Sequence, residues 1–390
     1  MKVQIPEGMI DQLDSVTGGK GPPPVLVRAP GRVEVLGNHI DYNGGFVLAS
    51  TIERYVWSLG VPSEEVNLRS MNFRESITFH PNVVKPTGTQ NWGDFARGIY
   101  WAFSRRKHKI RGVTVVIFGD VPIGSGLGSS AAFEVSLANL VAHISRLDLN
   151  PKALAMLAFE AERLYCGVAC GLMDQFTSQL SKPGNLLAIH CASLRIGDIP
   201  LSPDVELVVT DTMVSRPAGD ALNERRIECQ SALAQLIEAG WNSKNLSEIV
   251  PEQLGAVDAV LEETLARRVQ HVVMENIRVQ RGMDILREGR LKDFGQLMYE
   301  SHASSRELYE VSHPRLDLLI ELAKQQKGVL GSRLTGAGFG GAIISLVKAK
   351  HVDEFIRSMT RNYESTTGQT PSMLTGRPPG GVIVQETSDM

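Results

Sequence analysis

Three short segments carry the residue types that could do chemistry. The first is "RVEVLGNHIDYNGGFVLA" (32–49), which sets Arg32, Asn38, His39, Asp41, Tyr42 and Asn43 between two apolar runs and follows them with Gly44 and Gly45. A turn needs one or two polar side chains. This density suits a surface that holds something hydroxylated, because such a ligand is recognised by many converging hydrogen-bonding groups. The second is "GDVPIGSGLGSSAAFEV" (119–135), where Gly124, Ser125, Gly126, Leu127 and Gly128 lead from a strand into Ser129, Ser130 and Ala131 at the start of a helix. Glycines let a backbone approach a ligand closely. A helix start offers free N–H groups and the positive end of its dipole to an anion, so the segment reads as a phosphate cradle. It is not a Walker loop, since GxxxxGK[ST] is absent. The dinucleotide fingerprint fits only loosely, as "GLGSSA"; Asp148 stands where that fingerprint wants an acid, but no second strand leads into it. A flexible strand-to-helix turn is the plainer alternative.

The third segment is "ERLYCGVACGLMDQFTSQL" (162–180), with Glu162 near a helix end and Asp174 framed by Leu172, Met173 and Phe176. A carboxylate in such a frame is either satisfied by backbone or kept for chemistry. In a kinase two acids divide the work. One coordinates Mg²⁺ on the nucleotide, and the other takes the proton from the attacking hydroxyl. A nearby arginine would hold that base ionised. A further glycine cluster, "LTGAGFGGAI" (334–343), lies between strand-like runs; it is a hairpin turn or a place where ligand or backbone comes close.

These segments must be positioned by elements. Short β-like runs, "VLVRA", "RVEVLG", "GFVLAST", "RYVWSLGV" and "ESITFH", follow the lead-in "TGGKGPPP". Helices are predicted over 91–106, from Ser130 to Ser145, and after Asn150, with Asn150 as N-cap and Pro151 in the first turn. Leu154, Leu157, Ala161 and Leu164 form one apolar stripe on the last of these. "VELVVTDT" reads as a strand, 220–326 as largely helical, and strands return in "SRLTGAGFGGAIISLV" and "PPGGVIVQET". Strands and helices mix without strict βαβ alternation, which predicts an α+β fold in two domains, 1–200 and 201–390.

Bulk properties exclude other classes. The chain has 390 residues and a net charge of −3, so nothing in its charge points to nucleic acid or an anionic membrane. Four cysteines fit a reducing compartment and no disulfide framework. There is no apolar segment of signal-peptide or membrane-spanning length. The expectation is a cytoplasmic monomer that meets small molecules only.

The three glycine-bearing motifs in this order, with an Asp between the second and third, resemble the GHMP family of small-molecule kinases, and within it the galactokinases. "GRVEVLGNHIDYNGG" looks like the galactokinase signature, usually GRVNLIGEHTDYNGG. "GDVPIGSGLGSSAAFEV" resembles the ATP-phosphate motif, "CGLMDQF" the catalytic-base segment and "GSRLTGAGFGGA" the third motif; "NERRIEC", "RRVQHVVMEN" and "SHASSRELYEVSHPRLD" add further matches. The resemblance implies an N-terminal S5-like α+β domain and a ferredoxin-like C-terminal domain with the site between them. It implies ATP and a sugar as substrates and Mg²⁺ as cofactor. Asp174 would be the general base and Arg32 its partner. Ser130 and Glu162 would bind Mg²⁺, and residues 124–131 would wrap the phosphates. Asp41, His39 and Gly171 would face the sugar.

Two departures fall on the sugar side. The signature has Glu where this chain has Asn38, and the family tends to have Tyr where this chain has Leu222, in "GDALNERR". Asn38 removes a charge that would repel a C6 carboxylate, and Arg216 could pair with one, so a galacturonate or other C6-modified sugar is an alternative to galactose. "GLGSS" in place of the commoner "GLSSS" leaves phosphate binding intact. A non-catalytic sugar- and ATP-binding regulator is the rival from another class. The retention of Asp174, Glu162, Ser130, Ala131 and Arg32 argues against it. A kinase for another alcohol such as mevalonate is a third reading, and "HIDYNGG" argues against that.

Overall fold

The computed structural model describes residues 4–19, 21–82, 91–168, 170–214 and 219–387. Helix α1 (Met9–Thr17) precedes β1 (Val25–Leu36) and β2 (Phe46–Ser63). Each of these two strands joins runs that look separate in the sequence. Pro30 and Gly31 do not end β1. They fall at a register shift against β2, and a second shift lies between Glu34 and Leu36. Such bulges bend a strand and re-aim its side chains, which is how a proline survives there. Strands β3 (Val66–Ser70) and β4 (Glu75–Phe79), helix α2 (Trp92–Arg105) and strand β5 (Gly112–Gly119) follow. Next come α3 (Ser129–Ile144), α4 (Pro151–Glu160) with a π-helical turn over Ala161–Tyr165, α5 (Met173–Leu180), β6 (Asn185–His190) and β7 (Arg195–Pro200).

The second half holds β8 (Val205–Asp211), α6 (Gly219–Glu238), α7 (Leu254–Asp258), α8 (Glu263–Arg287), α9 (Leu291–Glu307) and α10 (Pro314–Lys324). It closes with β9 (Val329–Thr335), β10 (Ala342–Lys348), α11 (Val352–Thr367), β11 (Met373–Gly376) and β12 (Ile383–Glu386). The larger sheet runs β12-β1-β2-β5-β3-β4, with β6 and β7 branching from the first part of β2; the smaller runs β11-β8-β10-β9. All pairings are antiparallel except β3 with β5. This is the α+β, two-sheet architecture expected of the GHMP kinase fold. The terminal strand β12 leaves the second sheet and pairs with Val25–Arg28 of β1, so the chain returns to its first sheet at the end.

Period-two alternation decides what each face of the large sheet covers. Leu26, Leu59 and Val116 turn toward Met9 and Leu13 of α1. Their neighbours Val25, Val27, Val115 and Ile117 turn the other way, into a core that continues through both halves. Helix α3 is buried on nearly every side, which its run of Ala, Val and Leu allows. Asn150 caps α4 as its sequence predicts, accepting from the Ala153 N–H at 2.8 Å.

Candidate active site

Arg32 leaves β1 just after the bulge and reaches two partners. Its Nη1 donates to Gly126 O in the glycine-rich loop and its Nη2 to Asp174 Oδ2. Asp174 stands in the first turn of α5. The loop is held against β1 by backbone as well, since the Arg32 N–H donates to Leu127 O at 2.9 Å. Gly31 permits that approach. A Cβ there would lie 2.8 Å from Leu127 O. Gly124, Gly126 and Gly128 all have φ near +75° (74°, 75° and 77°), a region that L side chains avoid, and Gly128 forms the N-cap of α3. Ser125 closes the loop on itself by donating to Pro122 O at 2.7 Å. Ser129, Ser130 and the buried Ala131 form the first turn of α3. The loop, Arg32 and Asp174 line one cavity of about 430 Å³. Its far wall is apolar: Phe73 stacks on Trp92 with centroids 6.1 Å apart, and Ile123 stands exposed at the rim. Trp101 packs beside Tyr165, with ring centroids 5.8 Å apart.

Glu162 lies behind Ser130 of this cavity, on a helix that is not regular. In the π-helical turn each residue is rotated from its α-helical position. Leu164, which the 3.6-residue stripe places inward, is 51% exposed, while Tyr165 and Glu162 are buried. Ser130 Oγ donates to Glu162 Oε1 at 2.9 Å. Gln175 Nε2 donates to Glu162 Oε2 and, at 3.1 Å, to Glu134 Oε2. Burial first, then the nearby Asp174 carboxylate, pushes the Glu162 carboxyl above its usual range. Glu134 Oε1 and Gln175 Oε1 are buried with no partner. Crowded carboxylates, a serine hydroxyl and orphaned oxygens form a hard-donor set that suits Mg²⁺. Among the described residues no group of three or more His, Cys, Asp or Glu could hold a metal ion. Ser130 and Glu162 would hold one only together with oxygens of a phosphate ligand.

On the other side of Asp174 lies the 38–43 loop. Asp41 Oδ2 presses on Gly171, where a Cβ would sit 1.5 Å from it; only glycine fits. Burial first, then the Glu34 and Asp174 carboxylates, raises Asp41 to about 6. His39 has φ +60° and is pushed by burial to about 3, so its ring is neutral. That fixes a proton order. Its Nε2–H donates to Ala337 O at 3.1 Å, so Nδ1 accepts from the Tyr42 hydroxyl at 2.9 Å. Tyr42 then accepts from the Tyr309 hydroxyl at 2.9 Å, and Tyr309 from the Cys229 thiol at 3.1 Å. The chain ties the loop to α6, to the segment after α9 and to the β9–β10 hairpin. That hairpin is the third glycine cluster, and it abuts the phosphate loop: a Cβ on Gly336 would lie 3.8 Å from Gly126 O.

Asn38 is wholly buried. Its Nδ2 donates to Gly336 O at 2.9 Å and Glu34 Oε1 at 3.3 Å, and its Oδ1 accepts from Ser305 at 3.1 Å. Leu222 is half-buried in the first turns of α6. Arg216 lies outside the described residues. Sequence reasoning passes over Glu34, which forms a buried ion pair with Arg333 at 2.6 Å, and Glu134. A carboxylate inside the strand-like run "RVEVLG" is the available signal for the first.

Models of the GHMP kinases N terminal domain, the GHMP kinases C terminal and the galactokinase galactose-binding signature match residues 94–182, 283–365 and 14–61. A galactokinase of Roseiflexus sp. is 38% identical, over 92% of this chain and 93% of that protein. The chain belongs to the galactokinase family. A second galactokinase, from Chloroflexus aggregans, is 39% identical over 90% of each chain. The crystal structure of Lactococcus lactis galactokinase complexed with galactose superposes with a TM-score of 0.91 at 30% identity, covering 96% of this chain and 98% of that one. The galactokinase signature has Asn and Glu where this chain has Glu34 and Asn38, so the two residue types have changed places and still hydrogen-bond. The carboxylate missing at 38 has moved to the adjoining strand.

Proposed function

We propose that this protein transfers the γ-phosphoryl group of Mg·ATP to the anomeric hydroxyl of galactose. The observation that carries the reading is the convergence of Asp174, Arg32 and the 124–131 loop on one cleft, with Asp41 and Gly171 beside Asp174. Asp174 takes the proton of the anomeric hydroxyl. That oxygen attacks the γ-phosphorus, and the bond to the bridging oxygen of the β-phosphate breaks to release ADP. Arg32 holds Asp174 as carboxylate and offsets charge on the moving phosphoryl group. Residues 124–131 bind the phosphates, and Phe73 and Trp92 take the base. Mg²⁺, held by Ser130 and Glu162 together with the phosphates, would supply further charge neutralisation. Asp41 accepts hydrogen bonds from sugar hydroxyls while His39 fixes the loop that carries it.

Galactose is favoured over an acid sugar. The galacturonate alternative needs the pocket to be without a carboxylate near 38, and Glu34 supplies one there, though Arg333 balances it. The four cysteines form no disulfide, and no helix among the described residues is long and apolar enough to cross a membrane. The reading is of a cytoplasmic monomer acting on two small molecules.

An ADP-release assay tests the proposal. Wild-type protein is expected to consume ATP faster with galactose than with galacturonate, and Asp174→Asn to lose at least ~10³-fold in kcat while ATP binding persists. Near-normal turnover by that variant would remove Asp174 from its role.

A further inference from the structure

We propose that Arg226 binds the substrate directly, donating to a sugar hydroxyl that also donates to Asp41, and so supplies the polar group that leucine at 222 cannot. The proposal rests on the sugar-pocket reading above. Leu222 and Arg226 lie four residues apart on α6 and therefore share a face. Side chains of a helix lean toward its N-terminus, so Arg226 covers the turn that holds Leu222. A phenol at 222 would bring its own polar atom to that face. Leucine brings none and leaves the guanidinium.

Arg226 is only 9% exposed, and its Nη1 is buried with no hydrogen-bond partner. Its neighbour Arg225 is fully engaged, with Tyr309 O at 3.0 Å and Glu228 at 2.7 Å. The ion pairs of α6 among the described residues belong to Arg225 and Glu228, and none reaches Arg226. An unpaired buried donor is costly and marks a place for an absent acceptor. Arg226 Cζ sits 5.3 Å over the Tyr42 ring, which aims the guanidinium at the sugar loop. Asp41 is the next residue of that loop. It feels Arg226 as a favourable charge, yet the two form no ion pair within 4.0 Å. The two are thus a donor and an acceptor that influence each other without being joined. A hydroxyl group, both acceptor and donor, joins them.

A merely structural Arg226, packed on Tyr42, makes different predictions. Arg226→Met keeps most of the side-chain bulk and removes the donors. It is expected to raise KM for galactose about tenfold or more while KM for ATP stays within about twofold. Across a set of monodeoxygalactoses, one sugar should be turned over equally well by wild type and variant, because it lacks the hydroxyl that Arg226 reads. Leu222→Tyr in the Arg226→Met background should recover part of the affinity. Arg226→Lys, which keeps a donor, should fall between wild type and Arg226→Met, and it carries the test if the latter melts early. An unchanged KM for galactose, or an equal loss on every deoxy sugar, overturns the assignment. A wild-type chain that phosphorylates no galactose overturns the function itself, and this assignment with it.

Discussion

Asp41 is unfavourable for folding as a carboxylate, and the proposed sugar contact gives that carboxylate its use. Its carboxyl is raised to about 6 by burial and by its neighbours Glu34 and Asp174. A raised acid is stabilising while protonated, and that contribution is lost as pH rises from the unfolded value, about 3.9, through the folded one. Asp41→Asn is therefore expected to melt higher than wild type at pH 8, by up to about 2 kcal/mol in stability. Sugar binding wants the opposite protonation state, because only the carboxylate accepts from two hydroxyls. In wild type kcat/KM for galactose should climb through about pH 6 and then level. In Asp41→Asn that limb should flatten, with kcat/KM lower by roughly 100-fold. A limb that survives in the variant belongs to a different group. The Glu34–Arg333 pair makes a similar point. Burial raises Glu34 even against Arg333, so the pair serves register and charge placement rather than net stability.

At the scale of elements, the π-helical turn is the device that sets the proposed metal ligand Glu162 against Ser130. It adds rotation without adding an element, so Glu162 faces Ser130 while Leu164 turns to solvent. Deleting one residue from 163–165 should restore α-helical phase and swing Glu162 off Ser130. The expected result is a folded protein by circular dichroism with KM for Mg·ATP raised at least about tenfold. Glu162→Gln should weaken use of Mg·ATP more than sugar binding, read by the two KM values. If the deletion left Mg·ATP kinetics unchanged, the turn would have no part in binding it. The bulges in β1 do comparable work, aiming Arg32 at the loop and at Asp174 from a strand that otherwise keeps its pairing.

At the scale of the whole molecule, the site is assembled from distant parts of the chain, and the last strand covers the edge of the sheet that carries Arg32. β12 covers the edge of β1 over Val25–Arg28, a few residues before Arg32. An uncovered edge exposes unpaired backbone groups. Removing residues 382–390 should lower stability by about 2 kcal/mol and promote association, seen by thermal melts and light scattering. The kinetic constants at low temperature should change little, since β12 touches none of the ligand groups. The hairpin β9–β10, the 38–43 loop and the phosphate loop meet at Ala337, His39 and Gly126, so the second half of the molecule packs against both loops of the first.

Much of this was legible in the residues alone. Glycine spacing before a helix, an N-cap followed by proline, and the polar density at 38–43 are local signals, since each is enforced by backbone geometry within a few residues. They determined the elements; the roles of Asp174, Arg32, Ser130, Glu162 and Asp41 came from the resemblance to the GHMP kinases, not from the local pattern. Tertiary structure decided what local patterns cannot express. The Pro30–Gly31 pair became a bulge rather than a break because the β2 register absorbs it. The apolar stripe failed at Leu164 because a wider turn satisfies Glu162 at the site. Asn38, read as an open position facing sugar, is a fully bonded core amide, because Glu34, Ser305 and Gly336 come from three separate elements. A side chain's partners depend on which distant segments pack against it, and no spacing within one segment encodes that.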